Sequence, residues 1–228
     1  MALKRATGPA AVIAPAVPAV HVARVASPED VLRQPSWTLR GLDGAPAHSV
    51  ATCVRFAATA SLFVVLFEST SEPPLSVERG HGEEVYRDEC VEVFLAAAEN
   101  PFEYDELVVN PLGCLYTARI GNPDDSRETW RVSGGAPRTG IFIEVEGASL
   151  PAAAEEWTAW TCRLVVPWTS LASGRPPAPG EERRGNAYRI ARGRSTEFLS
   201  LSPTLRANPP DFHVPSRFAR FVFPADPM

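Results

Sequence analysis

The side chains that could do chemistry gather in two places. Glu83, Glu84, Asp88, Glu89 and Glu92 crowd around Tyr86, and His213 sits in the run Phe212-His213-Val214-Pro215. Hydrolysis of a glycosidic bond needs two carboxylates opposed across the scissile bond, one of them held protonated. No second acid at a defensible position completes such a pair. Nucleophilic catalysis lacks its parts as well. His21, His48, His81 and His213 lie far apart, and neither a G-x-S-x-G elbow nor a glycine-rich phosphate loop is present. No catalytic residue is therefore assigned, and His213 is read as a structural or ligand-contacting donor. Asp88 and Glu89 are read as solvated turn residues that permit, without demanding, a structural calcium ion. No cofactor is required.

Glu92 is distinct because of the element that carries it. In Cys90-Val91-Glu92-Val93-Phe94-Leu95 the residues alternate, so Val91, Val93 and Leu95 share one face of a strand while Glu92 and Phe94 share the other. An acid on the exposed face of such a strand, with Tyr86 just upstream, offers what a pyranose needs. The ring covers the apolar C–H face of the sugar and the carboxylate accepts hydroxyl hydrogen bonds. A solvated strand face is the alternative.

The same two-residue period returns at 104–110, where Leu107 and Val109 oppose Glu106 and Val108. It returns again at 141–146, at Trp160, Cys162, Leu164 and Val166, at 188–191 and at 218–223. The continuous apolar run at 61–67 suits a strand buried on both faces. Turn clusters separate these segments: Asn110-Pro111-Leu112-Gly113, Gly121-Asn122-Pro123-Asp124-Asp125, Ser133-Gly134-Gly135 and 174–180. Only 28–32 and 168–172 read as brief helical turns. Many short strands without intervening amphipathic helices predict an all-β chain, a single antiparallel β-sandwich of jelly-roll or immunoglobulin-like type. It is expected over 19–226, after a flexible extension at 1–18.

Composition narrows the partners. The chain has 228 residues, 45% of them hydrophobic, with 22 basic against 27 acidic side chains and a net charge of −5. That is enough apolar surface for one core and too little clustered positive charge for a nucleic-acid backbone. The arginines around Arg183-Arg184 are read as a solvated face. Twenty-three prolines and 15 glycines demand many turns and disfavour a helical bundle. Cysteines 53, 90, 114 and 162 form no C-x-x-C pair, so free, buried thiols are expected, with two disulfides open to an exported chain. No run approaches a membrane span. Residues 1–23 imitate a signal peptide poorly, because Pro9, Pro15 and Pro18 interrupt the apolar stretch. A cytoplasmic or non-classically exported protein is expected, with secretion as the alternative.

Four segments together carry a family resemblance. They are Tyr86-Arg87-Asp88-Glu89-Cys90-Val91-Glu92-Val93-Phe94-Leu95, Tyr104-Asp105-Glu106-Leu107-Val108-Val109-Asn110-Pro111-Leu112-Gly113, Asn186-Ala187-Tyr188-Arg189 and Phe212-His213-Val214-Pro215-Ser216-Arg217-Phe218. In order and spacing the chain resembles the carbohydrate-binding module family 9-like domains, a branch of the DOMON-like β-sandwiches, over about 19–224. In sugar-binding members two aromatic side chains clamp a terminal glucose ring. The resemblance places that clamp on Tyr86 and Phe212, where tryptophans are usual, and the family's strand carboxylate on Glu92. The arginine those binders carry two residues before the asparagine is Val108 here. Arg189 is the candidate replacement donor, and His213 and Asn110 complete the implied ligand-binding set. Asn110 and Pro111 also serve, in an alternative reading, simply to fix a turn.

The resemblance implies a non-catalytic carbohydrate-binding protein. It would recognise a glucan- or xylan-type oligosaccharide or chain end, in polysaccharide catabolism, beside a separately encoded glycoside hydrolase. A haem-binding, electron-carrying DOMON-like domain is the runner-up. It is disfavoured because the only methionines that could ligate iron are Met1 and Met228. A sandwich that has lost its sugar and acts as an interaction domain is the third reading.

Overall fold

A computed structural model describes residues 16–71, 78–97, 99–135, 139–147 and 158–225. The expected extension at 1–18 therefore falls almost wholly outside the described residues. In chain order the strands are β1 (Ala19–His21), β2 (Ala23–Arg24), β3 (Trp37–Thr38), β4 (Arg40–Gly41), β5 (Thr52–Ala58), β6 (Leu62–Ser71), β7 (Cys90–Ala96), β8 (Glu103–Val109), β9 (Leu115–Gly121), β10 (Arg131–Gly134), β11 (Phe142–Glu146), β12 (Thr158–Pro167), β13 (Glu182–Arg192), β14 (Thr196–Ser200) and β15 (Ala219–Val222). Short 3-10 turns at Pro28–Arg33, Val85–Arg87, Trp168–Ser170 and Pro215–Arg217 are the helical elements among the described residues.

The strands form two sheets, as the alternating patterns predict. Among the described residues, one sheet has the order β1-β15-β13-β7-β8-β9-β10, with β14 and β4 continuing from β13. The other has the order β11-β12-β6-β5-β2, with β3 beside β5. Pairing is antiparallel except at β1 with β15 and β2 with β5, where the first two short strands run parallel to their neighbours.

Between the sheets lies the main core. Val91, Val93 and Leu95 of β7 meet Phe63, Val65 and Phe67 of β6 and Trp160, Cys162 and Leu164 of β12 in one apolar cluster. The alternate residues of β6, Val64 and Leu66, are buried against the turn at Pro28–Arg33 through Val31. This explains why the run at 61–67 is apolar throughout: both of its faces are covered. Strands β5, β9 and β14 carry no signal singled out in the sequence, because their patterns mix apolar and polar residues, and the Ser133-Gly134-Gly135 cluster read as a turn instead gives Ser133 and Gly134 to β10, paired with Arg119 and Ala118 of β9.

The outer face of the larger sheet is also buried, and among the described residues no second sheet covers it. Phe94, Tyr104, Val108, Ala118, Ile120, Tyr188 and Ile190 form a second apolar cluster with Val85, Phe212 and Phe218 from connecting segments. Phe94 sits at its centre, with the rings of Tyr188, His213 and Tyr104 at 4.8, 5.1 and 5.4 Å.

Three fully buried asparagines tie the covering segments to the sheet. Asn110 donates to the Arg79 carbonyl and to Asp88, and its own carbonyl accepts from the amides of Leu112 and Cys114. Asn122 donates to the His213 carbonyl at 2.9 Å and accepts from the Ser126 amide. Asn186 donates to the Ser202 carbonyl and the Tyr188 hydroxyl, which in turn donates to the Phe212 carbonyl at 2.8 Å. Buried backbone groups need such partners wherever a loop replaces a sheet.

Asn122→Ala leaves the His213 carbonyl and the Ser126 amide without their partner. The expected loss is about 1–3 kcal/mol of unfolding free energy by urea denaturation, with the m-value unchanged if only this anchor is lost.

Candidate functional site

The covering segments do not close completely over the outer face. They leave a cleft of about 290 Å³ whose floor is the sheet and whose walls are loops. Glu92 of β7, Glu106 of β8 and Tyr116 of β9 rise from the floor. Tyr86 comes from the segment before β7, Arg127 and Trp130 from the segment before β10, and Phe212 and His213 from the segment before β15. Phe198 of β14 closes one side.

Strand register accounts for the carboxylates. Glu92 lies opposite Val108, and Phe94 lies opposite Glu106, so the two glutamates are diagonal neighbours on one face. Diagonal positions bring long side chains to within mutual reach, about 7–8 Å between backbones. The sequence reading put Glu92 on an exposed face, but it is 2% exposed and Glu106 is 5% exposed. The strand face is not solvated, because loops cover it. Glu92 accepts one weak bond, from the Cys90 thiol at 3.6 Å. The Glu106 carboxylate has no hydrogen-bond partner among the described residues.

Burial dominates the electrostatics. Loss of water, reinforced by the negative charge of Glu106, holds the Glu92 carboxyl well above its ordinary range. Loss of water pushes Glu106 up to about 8, against the pull of the Arg127 guanidinium. Arg127 itself is held at the rim, where its Nε and Nη2 both reach Asp211 at 3.1 and 3.0 Å and its guanidinium lies 5.3 Å over Trp130. Burial drives His213 down to about 3, so the imidazole is neutral. The Tyr104 oxygen receives the Asn122 amide and its hydroxyl donates to His213 Nδ1 at 3.0 Å. That leaves the ring proton on Nε2, in a side chain that lines the cleft.

The aromatic walls are fixed by their neighbours. Phe212 stacks on Tyr188 at 4.3 Å and 14°, and Phe198 meets it edge-on at 6.0 Å. Tyr86 packs edge-on against Tyr116 at 5.2 Å, and its hydroxyl donates to Glu84 at 2.7 Å. Trp130 packs edge-on against His213 at 4.7 Å.

Of the residues singled out in the sequence, Tyr86, Glu92, Phe212 and His213 line this one cleft, and Arg189 and Asn110 do not. Arg189 follows Tyr188 in β13 and so points to the opposite face, into the sandwich. There it pairs with Glu89, donates to Ser71 at 2.7 Å and lies 4.8 Å over Trp160. It does not replace the cation absent at Val108; Arg127 is the cation at this cleft. Asn110 spends its amide on Arg79, Asp88 and a turn. Asp88 and Glu89 are buried rather than solvated. Asp88 accepts from Asn110, from Arg79 and from the amides of 78 and 79, and Glu89 accepts from Ser71, Arg189 and the Arg192 amide. Their oxygens already face protein donors on different partners, which is a poor fit to a calcium cradle, and no cluster of three metal-binding side chains occurs among the described residues. Arg183 is likewise buried, paired with Glu181 and packed 5.1 Å over Trp168, not solvated.

Arg127, Trp130, Tyr116 and Phe198 were not signalled by the sequence. Glu106 could have been found, since its place opposite Leu107 and Val109 puts it in phase with Glu92 once β7 and β8 pair. A larger, more open depression of about 630 Å³ near Trp160 has its Arg55 already paired with Glu68 at 2.9 Å.

Fold and cleft define a β-sandwich binding domain with an aromatic-walled, acid-floored ligand site. The model of carbohydrate-binding family 9 matches residues 47–223, and the chain belongs to that family. Among solved structures, a proposed carbohydrate-binding protein from Bacteroides uniformis is similar at a TM-score of 0.74 and 18% identity, over 91% of this chain and 100% of that one. A family 9 module from Caldicellulosiruptor kristjanssonii, in complex with glucose, is similar at 0.59 and 11% identity, over 91% and 96%. The same source's module in complex with cellotriose gives 0.58 and 12%, over 91% and 94%. At these identities the likeness is one of fold. No match is found among curated protein sequences.

The raised carboxyls make stability depend on pH with a definite sign. Between the ordinary glutamate range and about 8 the folded chain holds more protons than the unfolded one, so stability falls as pH rises through that window. His213 acts oppositely and lower, its contribution being lost as pH falls from about 6.5 toward about 3. Thermal unfolding is therefore expected to show a higher Tm at about pH 6.5 than at about pH 8.5, the unfolding free energy falling by up to about 1.4 kcal/mol per pH unit for each such carboxyl. Glu106→Gln flattens that slope and raises Tm most at the alkaline end.

Proposed function

We propose that this chain is a carbohydrate-binding protein that holds an oligosaccharide or chain end of glucan or xylan type in the cleft above β7, β8 and β9. One observation carries the reading. Tyr86 and Phe212, on which the family resemblance places the sugar clamp, come from segments far apart in the chain and line a single cleft with Glu92, its strand carboxylate. Trp130 and Tyr116 add apolar surface for the C–H face of a pyranose, and the carboxylates accept from its hydroxyls. His213 Nε2–H and the Arg127 guanidinium supply donors for ring or glycosidic oxygens.

Binding rather than hydrolysis suits this geometry. Glu92 and Glu106 rise side by side from adjacent strands, so both approach a ligand from the same side. A glycosidase needs its acid and its base or nucleophile on opposite sides of the bond that breaks. A role in polysaccharide catabolism, alongside a separate hydrolase, is the context this reading supports.

Isothermal titration of the folded protein with glucose, cellobiose and xylobiose tests the reading. Saturable binding is expected, with Trp130→Ala weakening it about tenfold or more, ~1.4 kcal/mol. Trp130 is only partly buried, so this variant is expected to fold. Heat unaffected by Trp130→Ala and Tyr86→Ala would place the site elsewhere.

A further inference from the structure

The floor of the cleft holds more ionisable acid than neutral sugar hydroxyls require. Two carboxylates, each more than nine-tenths buried, enter it from neighbouring strands with no basic side chain hydrogen-bonded to either. The cations and imidazole that could have neutralised them are otherwise engaged. Arg127 is held at the rim by Asp211, Arg206 reaches the same aspartate at 3.7 Å, and Arg189 is on the far side of the sheet with Glu89. His213 is bonded through Nδ1 to Tyr104. The family's arginine position is filled by Val108, whose backbone lies directly opposite Glu92.

We infer that the cleft selects sugars bearing a free, protonated amine, an amino-hexose or an oligosaccharide of amino-hexoses, with the ammonium seated between Glu92 and Glu106. This rests on the carbohydrate-binding reading and narrows its ligand class. An ammonium offers three N–H donors and a full positive charge, where a hydroxyl offers one donor and none. Both acids hold their protons near neutral pH in the empty cleft, so seating the ammonium releases a proton from at least one of them to solvent, and the charge-assisted bonds that result are stronger than neutral ones. The aromatic walls suit the same ligand twice, since Trp130 and Tyr116 line the cleft and aromatic rings both cover a sugar's C–H surface and attract a neighbouring cation.

Acetylation of the amine removes the charge and adds bulk, which makes it the discriminating probe. At about pH 6 and low salt, the β-1,4 disaccharide of glucosamine is expected to bind wild-type protein at least about tenfold tighter than cellobiose or the N-acetylated disaccharide, by calorimetry. In Glu106→Gln and in Glu92→Gln, the ratio of amino-sugar to cellobiose affinity is expected to fall toward one, with folding verified by thermal unfolding. The ratio is read from two ligands on the same protein, so a general weakening of the site does not imitate the result. Equal or tighter binding of cellobiose by wild-type protein would overturn the amine inference and leave the carbohydrate reading standing. Failure of every sugar to bind folded protein would overturn both.

Discussion

Everything distinctive in this molecule follows from a sheet that must be dry on both faces with only one partner sheet to dry it. Every residue of β7 is buried, yet the second layer of the sandwich covers only Val91, Val93 and Leu95. The opposite face is roofed by chain without regular structure, and such chain brings unpaired backbone groups with it. Asn110, Asn122 and Asn186 answer that need: each projects from the sheet or its edge and bonds the backbone of a covering segment. The cleft is the part of the roof where the segments do not meet. Its walls are therefore as fixed as the anchors, and the ligand site is shaped in advance of any ligand, which lowers the ordering cost of binding.

Within that frame the two glutamates run against stability. A fold optimised for burial alone would place apolar residues at 92 and 106, as it does at Phe94 and Val108 on the same face. A buried acid without a partner raises its proton affinity instead of ionising freely, and the structure holds two such acids side by side. Local departures from the rules that otherwise govern a chain concentrate at functional sites. The contrast with Asp88 and Glu89 sharpens this. Those acids are equally buried, but each is met by several protein donors, so they serve the roof and the sandwich respectively. Burial alone does not mark the site; burial without partners does.

The architecture was largely legible in the sequence because a two-residue period survives wherever one strand face meets the main core. The bounds expected for the strands at 104–110, 141–146 and 160–167 lie close to the observed ones. What periodicity could not reveal was the state of the other face. Glu92 and Phe94 were read as exposed because alternation of apolar and polar residues normally means one wet side. Phe94 is the centre of a second core instead, and Glu92 the floor of a cleft. The roof that causes this is built from turn-rich segments whose sequence says only that they turn. For the same reason Arg127 and Trp130 were invisible: they sit in a loop whose path is set by the Asn122 anchor, not by any pattern of its own. Arg189 shows the opposite error. Its basic character suited a donor, but strict alternation with Tyr188 and Ile190 already placed it on the inner face.

The displacement of positive charge from floor to rim ties these points together. With Val108 under the cleft, the cation nearest the glutamates arrives from a loop, and it is anchored to Asp211 two residues from His213 and stacked on Trp130. Arg127 is half exposed and thus partly screened, whereas the glutamates below it are almost wholly buried and screened less. The cleft consequently grades from acidic groups at its floor to a basic one at its entrance. Such a gradient orients a ligand with unequal ends more strongly than a uniformly polar groove would, because turning the ligand over sets each end against a like charge. The aromatic walls carry no such direction, since a ring face accepts either side of a pyranose. On the proposed reading, stacking would supply the hold, and the arrangement of charge would decide which way round the ligand lies.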